Sequence, residues 1–76
     1  MTVIETIKAK RESLGLPLRK VAQEADVDTS TWAKIEKGER ALRAEMLEPI
    51  CKLLELNLKE VTVQFWSDKL QEDLAD

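Results

Sequence analysis

Few side chains in this sequence can carry chemistry. It has no histidine and no tyrosine, and Cys51 is its single cysteine. Within one chain that excludes His- and Cys-based zinc sites, a disulfide framework and His-dependent nucleophilic triads. Two glycines, Gly15 and Gly38, cannot build a phosphate-cradling loop. No catalytic residue, metal site or cofactor is expected, and the chain does not read as an enzyme. The residues left with chemistry to offer are cationic: Lys8, Lys10, Arg11, Arg19, Lys20, Lys34, Lys37, Arg40 and Arg43. All nine fall in residues 1–43, against seven acidic ones, for a net +2, whereas residues 44–76 hold three basic residues against eight acidic, net -5. Affinity for nucleic acid comes largely from neutralising phosphates. The amino-terminal half therefore has the charge to face DNA, although the whole chain carries -3. A solvated helical surface fits the same charges, since no basic run exceeds two residues.

The frame that must hold these side chains is small. Seventy-six residues make one domain, and at that size folding buries only roughly 60% of the surface the unfolded chain exposes. A dimer would enlarge the core. With 43% apolar and 36% charged residues the chain reads as a soluble globular protein. No apolar run approaches the ~20 residues of a membrane-spanning helix, and nothing reads as a signal peptide. The expectation is a cytoplasmic protein.

Apolar periodicity predicts helices throughout. Thr2 and Glu5 have the capping-box spacing, Ile4, Ile7, Arg11 and Leu14 follow at intervals of three and four, and Gly15 closes this first helix. Pro17 suits the first turn of a second, with Leu18, Val21, Ala22 and Ala25 on its apolar face. The segment Asp26-Val27-Asp28 reads as a turn, and Asp28 as the N-cap of a third helix over Thr29 to Lys37, stopped by Gly38. Trp32, Ile35 and Glu36 point inward on that helix; Thr29, Ser30, Ala33 and Lys34 form its outer face. Met46, Leu47, Ile50, Leu53 and Leu54 describe a fourth helix, in which Pro49 is tolerable only within the first turn. Cys51 reads as a small buried hydrophobe. Asn57 and Glu60 open a fifth helix. There Val61 to Phe65 alternates with period two and fits a strand equally well, while Trp66, Leu70 and Leu74 return to helical spacing.

Two short helices joined by a three-residue turn make a helix–turn–helix, in which the second helix lies in the major groove of DNA. The short side chains on the outer face of the third helix would let its axis approach the bases. The stretch from Ile7 to Leu16, IKAKRESLGL, then Val21-Ala22, then Ile35-Glu36-Lys37-Gly38, resembles the DNA-binding domain of lambdoid phage repressors and Cro, the Xre-type regulators. The match covers about residues 3 to 61. It implies an all-α, compact five-helix repressor-like domain over residues 1–61, and a regulator that binds operator DNA as a dimer.

Residue by residue, the resemblance implies a partly buried ion pair between Arg11 and Glu36. It places Thr29, Ser30, Ala33 and Lys34 where the family reads bases, with Lys34 able to donate to guanine and Ala33 able to touch a thymine methyl. Arg19, Lys20, Lys37, Arg40 and Arg43 are candidates for phosphate contacts. The sequence departs from the family at Leu18, where Gln is common, and at Pro17, which replaces a polar cap; either Arg19 takes over that phosphate clamp or DNA binding is weaker than in the phage proteins. The bland alternative for the outer face is exposed polar residues on a solvated helix; Trp32 is expected to fill space between the third and fourth helices rather than stack on a base.

Residues 62–76 read as a helical extension. Val63, Phe65, Trp66, Leu70 and Leu74 put too much apolar surface on it for a free end, so they are expected to form a dimer interface; Phe65 to Leu70 also resembles the tails of small Xre-type regulators found beside DNA methyltransferase and restriction genes. The expected function is a dimeric repressor on a palindromic operator in double-stranded DNA. Two rivals are an antitoxin-type regulator that binds a protein partner through the acidic half, Glu45 to Asp76, and a helix–turn–helix used only for protein interaction.

Overall fold

A computed structural model of the protein describes residues 1–74. Five α-helices follow one another: α1 (Val3–Ser13), α2 (Leu18–Glu24), α3 (Thr29–Glu36), α4 (Leu47–Leu54) and α5 (Leu58–Leu74), with a 3-10 turn over Ala44–Met46 before α4. The architecture is all-α, and among the described residues there is no strand. Val61 to Phe65, whose pattern fitted either state, lies wholly within α5.

Helices α1, α3 and α5 start where a side chain satisfies a free N–H group. Thr2 Oγ1 accepts from the Glu5 N–H at 3.2 Å and Glu5 Oε1 accepts from the Thr2 N–H at 2.8 Å, completing the capping box. These bonds from Thr2 hold the Glu5 carboxyl below its ordinary value. Asp28 caps α3, accepting the Thr31 N–H at 2.7 Å. Asn57 does the same for α5 through Glu60 at 2.9 Å. Pro17 sits at the N-cap of α2 and offers no side-chain bond, one residue earlier than the first-turn position expected of it. Pro49 is the third residue of α4, where its missing N–H costs no intrahelical bond.

The helices end by one device. After each of α1 to α4 a residue adopts a left-handed conformation: Gly15 at φ +69°, Asp26 at +60°, Gly38 at +81° and Glu55 at +59°. The next N–H then returns to a carbonyl five residues back, in Leu16 to Arg11, Val27 to Ala22, Glu39 to Lys34 and Leu56 to Cys51, at 2.9–3.0 Å. Leu16, Val27 and Leu56 turn inward and pack partly buried on the core. This is why the connections α1–α2, α2–α3 and α4–α5 can be so short.

Val3, Ile7, Val21, Ala22, Ala25, Trp32, Ile35, Leu42, Met46, Leu47, Ile50, Cys51, Leu54, Val61 and Phe65 make the core. Cys51 is buried, which pushes its thiol pKa up. Two expectations need correction. Leu14, read as the last residue of the α1 stripe, is exposed, because the chain turns at Gly15 before anything covers it. Phe65, read as part of a dimer interface, is only 4% exposed within the single chain, because α5 folds back along α1 and turns this ring inward.

That return is pinned by polar contacts. Asp68 Oδ2 accepts the Val3 N–H at 2.7 Å, a free donor of the first turn of α1, and Thr6 Oγ1 donates to Gln64 Oε1 at 3.2 Å. The boundary expected between residues 61 and 62 thus falls inside one continuous helix whose second half is tied to α1. Residues 75 and 76 of the expected extension lie outside the described residues.

Candidate nucleic-acid interface

Presentation of α3 begins with the residues that fix its inner side. Trp32 is fully buried and Ile35 nearly so, which anchors the helix on one face. At its end, Glu36 Oε2 accepts from Arg11 Nε at 2.8 Å and Glu36 Oε1 from Arg11 Nη2 at 3.0 Å, a two-point pairing of side chains only 5% and 12% exposed. Arg11 Nη1 also donates to the Leu16 carbonyl at 2.8 Å, and Trp32 Nε1 donates to Glu36 Oε2 at 2.7 Å. The network joins α1, the turn into α2, and both turns of α3. Among the described residues no buried side-chain polar atom lacks a partner, so the buried charges are compensated rather than stranded. Arg11 and Glu36 are brought together; the Trp32 and Leu16 contacts were missed. The four-residue spacing of Trp32 and Glu36 on one helix was the signal for the first, whereas the second depends on a backbone carbonyl that no residue type reports.

With its inner side fixed, α3 turns Thr29, Ser30 and Lys34 to solvent, with Ala33 half-buried between them. The α2–α3 turn sets where this face begins. Asp26 in the left-handed conformation reverses the chain, Val27 packs inward, and Asp28 caps the helix while Ser30 Oγ donates to Asp28 Oδ1 at 3.0 Å. Hydrogen bonds from Thr31 and then Ser30 hold the Asp28 carboxyl below its ordinary value.

The candidate phosphate ligands are exposed on α2 and on the segment that follows α3. Arg19 and Lys20 are exposed on α2, and Lys37 and Arg40 are exposed just past α3. Arg43 is exposed and lies 3.1 Å from Glu45, a pair open enough to water to be worth little. Leu18 is half-buried and packs on the core, so it presents no polar group where the resembled family has Gln. On α5, Val63, Trp66, Leu70 and Leu74 are 55–74% exposed and follow one another at intervals of three or four residues along one side of the helix. Among the described residues no group of three or more acidic or Cys side chains is arranged to hold a metal ion, and no helix is long and apolar enough to cross a membrane.

A family model for a helix-turn-helix domain matches residues 5–63 of the chain. The fold is similar to the crystal structure of the clp gene regulator ClgR from Corynebacterium glutamicum, with a TM-score of 0.69 and 23% identity over 96% of this chain and 82% of that one. None of the curated proteins matches.

Proposed function

The chain belongs to the helix-turn-helix domain family, and from that premise we propose that it is a sequence-specific DNA-binding transcriptional regulator of the Xre type. In this reading α3 enters the major groove of operator DNA and α2 crosses the backbone. Thr29, Ser30, Ala33 and Lys34 face base edges. Arg19, Lys20, Lys37, Arg40 and Arg43 face phosphates. The observation that carries it is the contrast between the two sides of α3: the inner one locked by Trp32 and the Arg11–Glu36 pair, the outer one small, polar and exposed. The fold neighbour is itself described as a gene regulator, which agrees.

The protein acts as a homodimer on a palindromic site, with Val63, Trp66, Leu70 and Leu74 at the two-fold interface and the recognition helices one turn of DNA, about 34 Å, apart. Bound there, it represses by excluding polymerase, in the cytoplasm and without a cofactor. A mobility-shift titration at two salt concentrations against the DNA upstream of its own gene tests this. A sequence-specific shift that weakens steeply with salt is expected. Absence of any shift overturns it in favour of a module for protein interaction. Co-purification of a neighbouring gene product that competes with DNA points instead to an antitoxin-type regulator, whose partner would meet the exposed carboxylates of α4 and α5.

A further inference from the structure

The amino-terminal end of α3 has a fixed hydrogen-bond polarity. A serine hydroxyl ordinarily reads either kind of base edge, because its proton rotates freely between donor and acceptor roles. Here the proton of Ser30 has a fixed destination: Oγ donates to Asp28 Oδ1 at 3.0 Å. That oxygen cannot swing away without giving up the Thr31 N–H, 2.7 Å distant, and with it the cap of the helix. The carboxylate is the stronger acceptor, since it is charged and a base carbonyl is not. What Ser30 offers outward is therefore a lone pair. Four residues on, Lys34 offers only donors. The outer face of α3 is thus ordered, an acceptor at its start and a cation one turn later, about 6 Å along the helix axis.

Resting on the DNA-binding reading above, we infer that Asp28 is a specificity-determining residue that touches no base: it orients the Ser30 hydroxyl so that Ser30 selects a base presenting a donor, adenine through N6 or cytosine through N4, while Lys34 selects guanine about two base steps away. Thymine O4 and guanine O6 offer Ser30 no proton, so either base at that position on the contacted strand leaves two acceptors facing each other.

Selection of binding sites from randomised duplexes, run in parallel with wild type, Ser30→Ala and Asp28→Ser, tests this. Serine at residue 28 still caps the helix but removes the charged acceptor. Wild type is expected to enrich adenine or cytosine at one position of each half-site, by about tenfold over guanine or thymine. Ser30→Ala should flatten that position alone. Asp28→Ser should admit guanine and thymine there while the guanine read by Lys34 stays enriched, with circular dichroism showing the helices retained. Enrichment of guanine or thymine at the position that Ser30→Ala flattens overturns the inference. So does an Asp28→Ser profile identical to wild type. If wild type enriches no sequence at all, the DNA-reading function fails and takes this inference with it; specific enrichment with the wrong base at that position sinks the inference alone.

Discussion

Glu36 carries more at the scale of single residues than any other side chain. It neutralises Arg11 at two points and receives the Trp32 indole, all at 5% exposure. Removing it leaves a buried guanidinium and an indole N–H without their acceptor, so Glu36→Ala is expected to cost about 3–5 kcal/mol, in the range of broken buried pairs. Chemical denaturation measures this, and a midpoint equal to wild type would show that the network carries no stability. Lys34 is the opposite case, exposed and bound to nothing within the chain that its folding needs. Lys34→Ala should leave the unfolding curve unchanged and lose about 1–3 kcal/mol of binding to the operator, confined to one base position. Uniform loss across all operator variants would make it a phosphate ligand instead. Both residues were legible in the sequence, the first as a charge on an apolar stripe and the second on the matching outer face. Phe65 was misjudged because five apolar residues within twelve say nothing about which of them a neighbouring helix will cover.

Among the elements, the left-handed residues that end the helices decide how tightly the chain turns. Gly38 has open space around the position of a Cβ, so any effect of substitution there is conformational. Gly38→Ala is expected to destabilise by about 1 kcal/mol, the left-handed penalty of an L-residue less the entropy removed from the unfolded chain. Glu55 already bears that penalty at φ +59°, and Glu55→Gly should raise stability by up to about 1 kcal/mol. Thermal melts of the two variants must move in opposite directions. The capping carboxylates add a pH dependence. Asp28 and Glu5 are both held below their ordinary pKa by hydrogen bonds to the starts of α3 and α1. A lowered folded-state pKa means stability that is fully present above the unfolded value, around pH 4, and lost as pH falls through the folded value. Melting temperature should therefore hold constant above about pH 5 and fall below pH 4, less steeply in Asp28→Ser. An equal fall in both proteins would remove Asp28 from the account. The N-caps and the glycine stops were readable because each is a local bargain between a side chain and the next turn of backbone. Asp26 was readable only as part of a turn over Asp26 to Asp28, and Glu55 not at all, since glutamate does not favour the left-handed region.

For the molecule as a whole, the question is what α5 does with its outer side. Its inner side contributes Val61 and Phe65 to the core, and Asp68 and Gln64 bind it to the first turns of α1. The outer stripe of Val63, Trp66, Leu70 and Leu74 stays in water in the single chain. Burial of such a stripe against a second copy is worth about 25 cal/mol per Å² before the cost of association. Leu70 is exposed and outside the core, so Leu70→Glu should leave the helix content intact while converting a dimer to a monomer at micromolar concentration by sedimentation. A wild type that is already monomeric there would sink the dimer, and with it a symmetric operator. The charge division acquires a spatial meaning at this scale as well. The exposed cations Arg19, Lys20, Lys34 and Lys37 belong to α2, α3 and the residue after it, while carboxylates outnumber lysines on α5.

The sequence by itself determined α1 to α4, the caps at Thr2, Asp28 and Asn57, the turn between α2 and α3 and the resemblance that pointed to the outer face of α3, because all of these are set within a few residues along the chain or by an ordered motif; it left Val61 to Phe65 open between helix and strand. Only the tertiary structure decided which side of α5 is core and which is free, that Asp68 closes the start of α1, and that Glu36 answers to Trp32 and Arg11 together. Those contacts join residues as far apart as Val3 and Asp68. Helical periodicity fixes which residues of α5 share a side, but not which side another helix will cover; the packing of α5 against α1 supplies that choice.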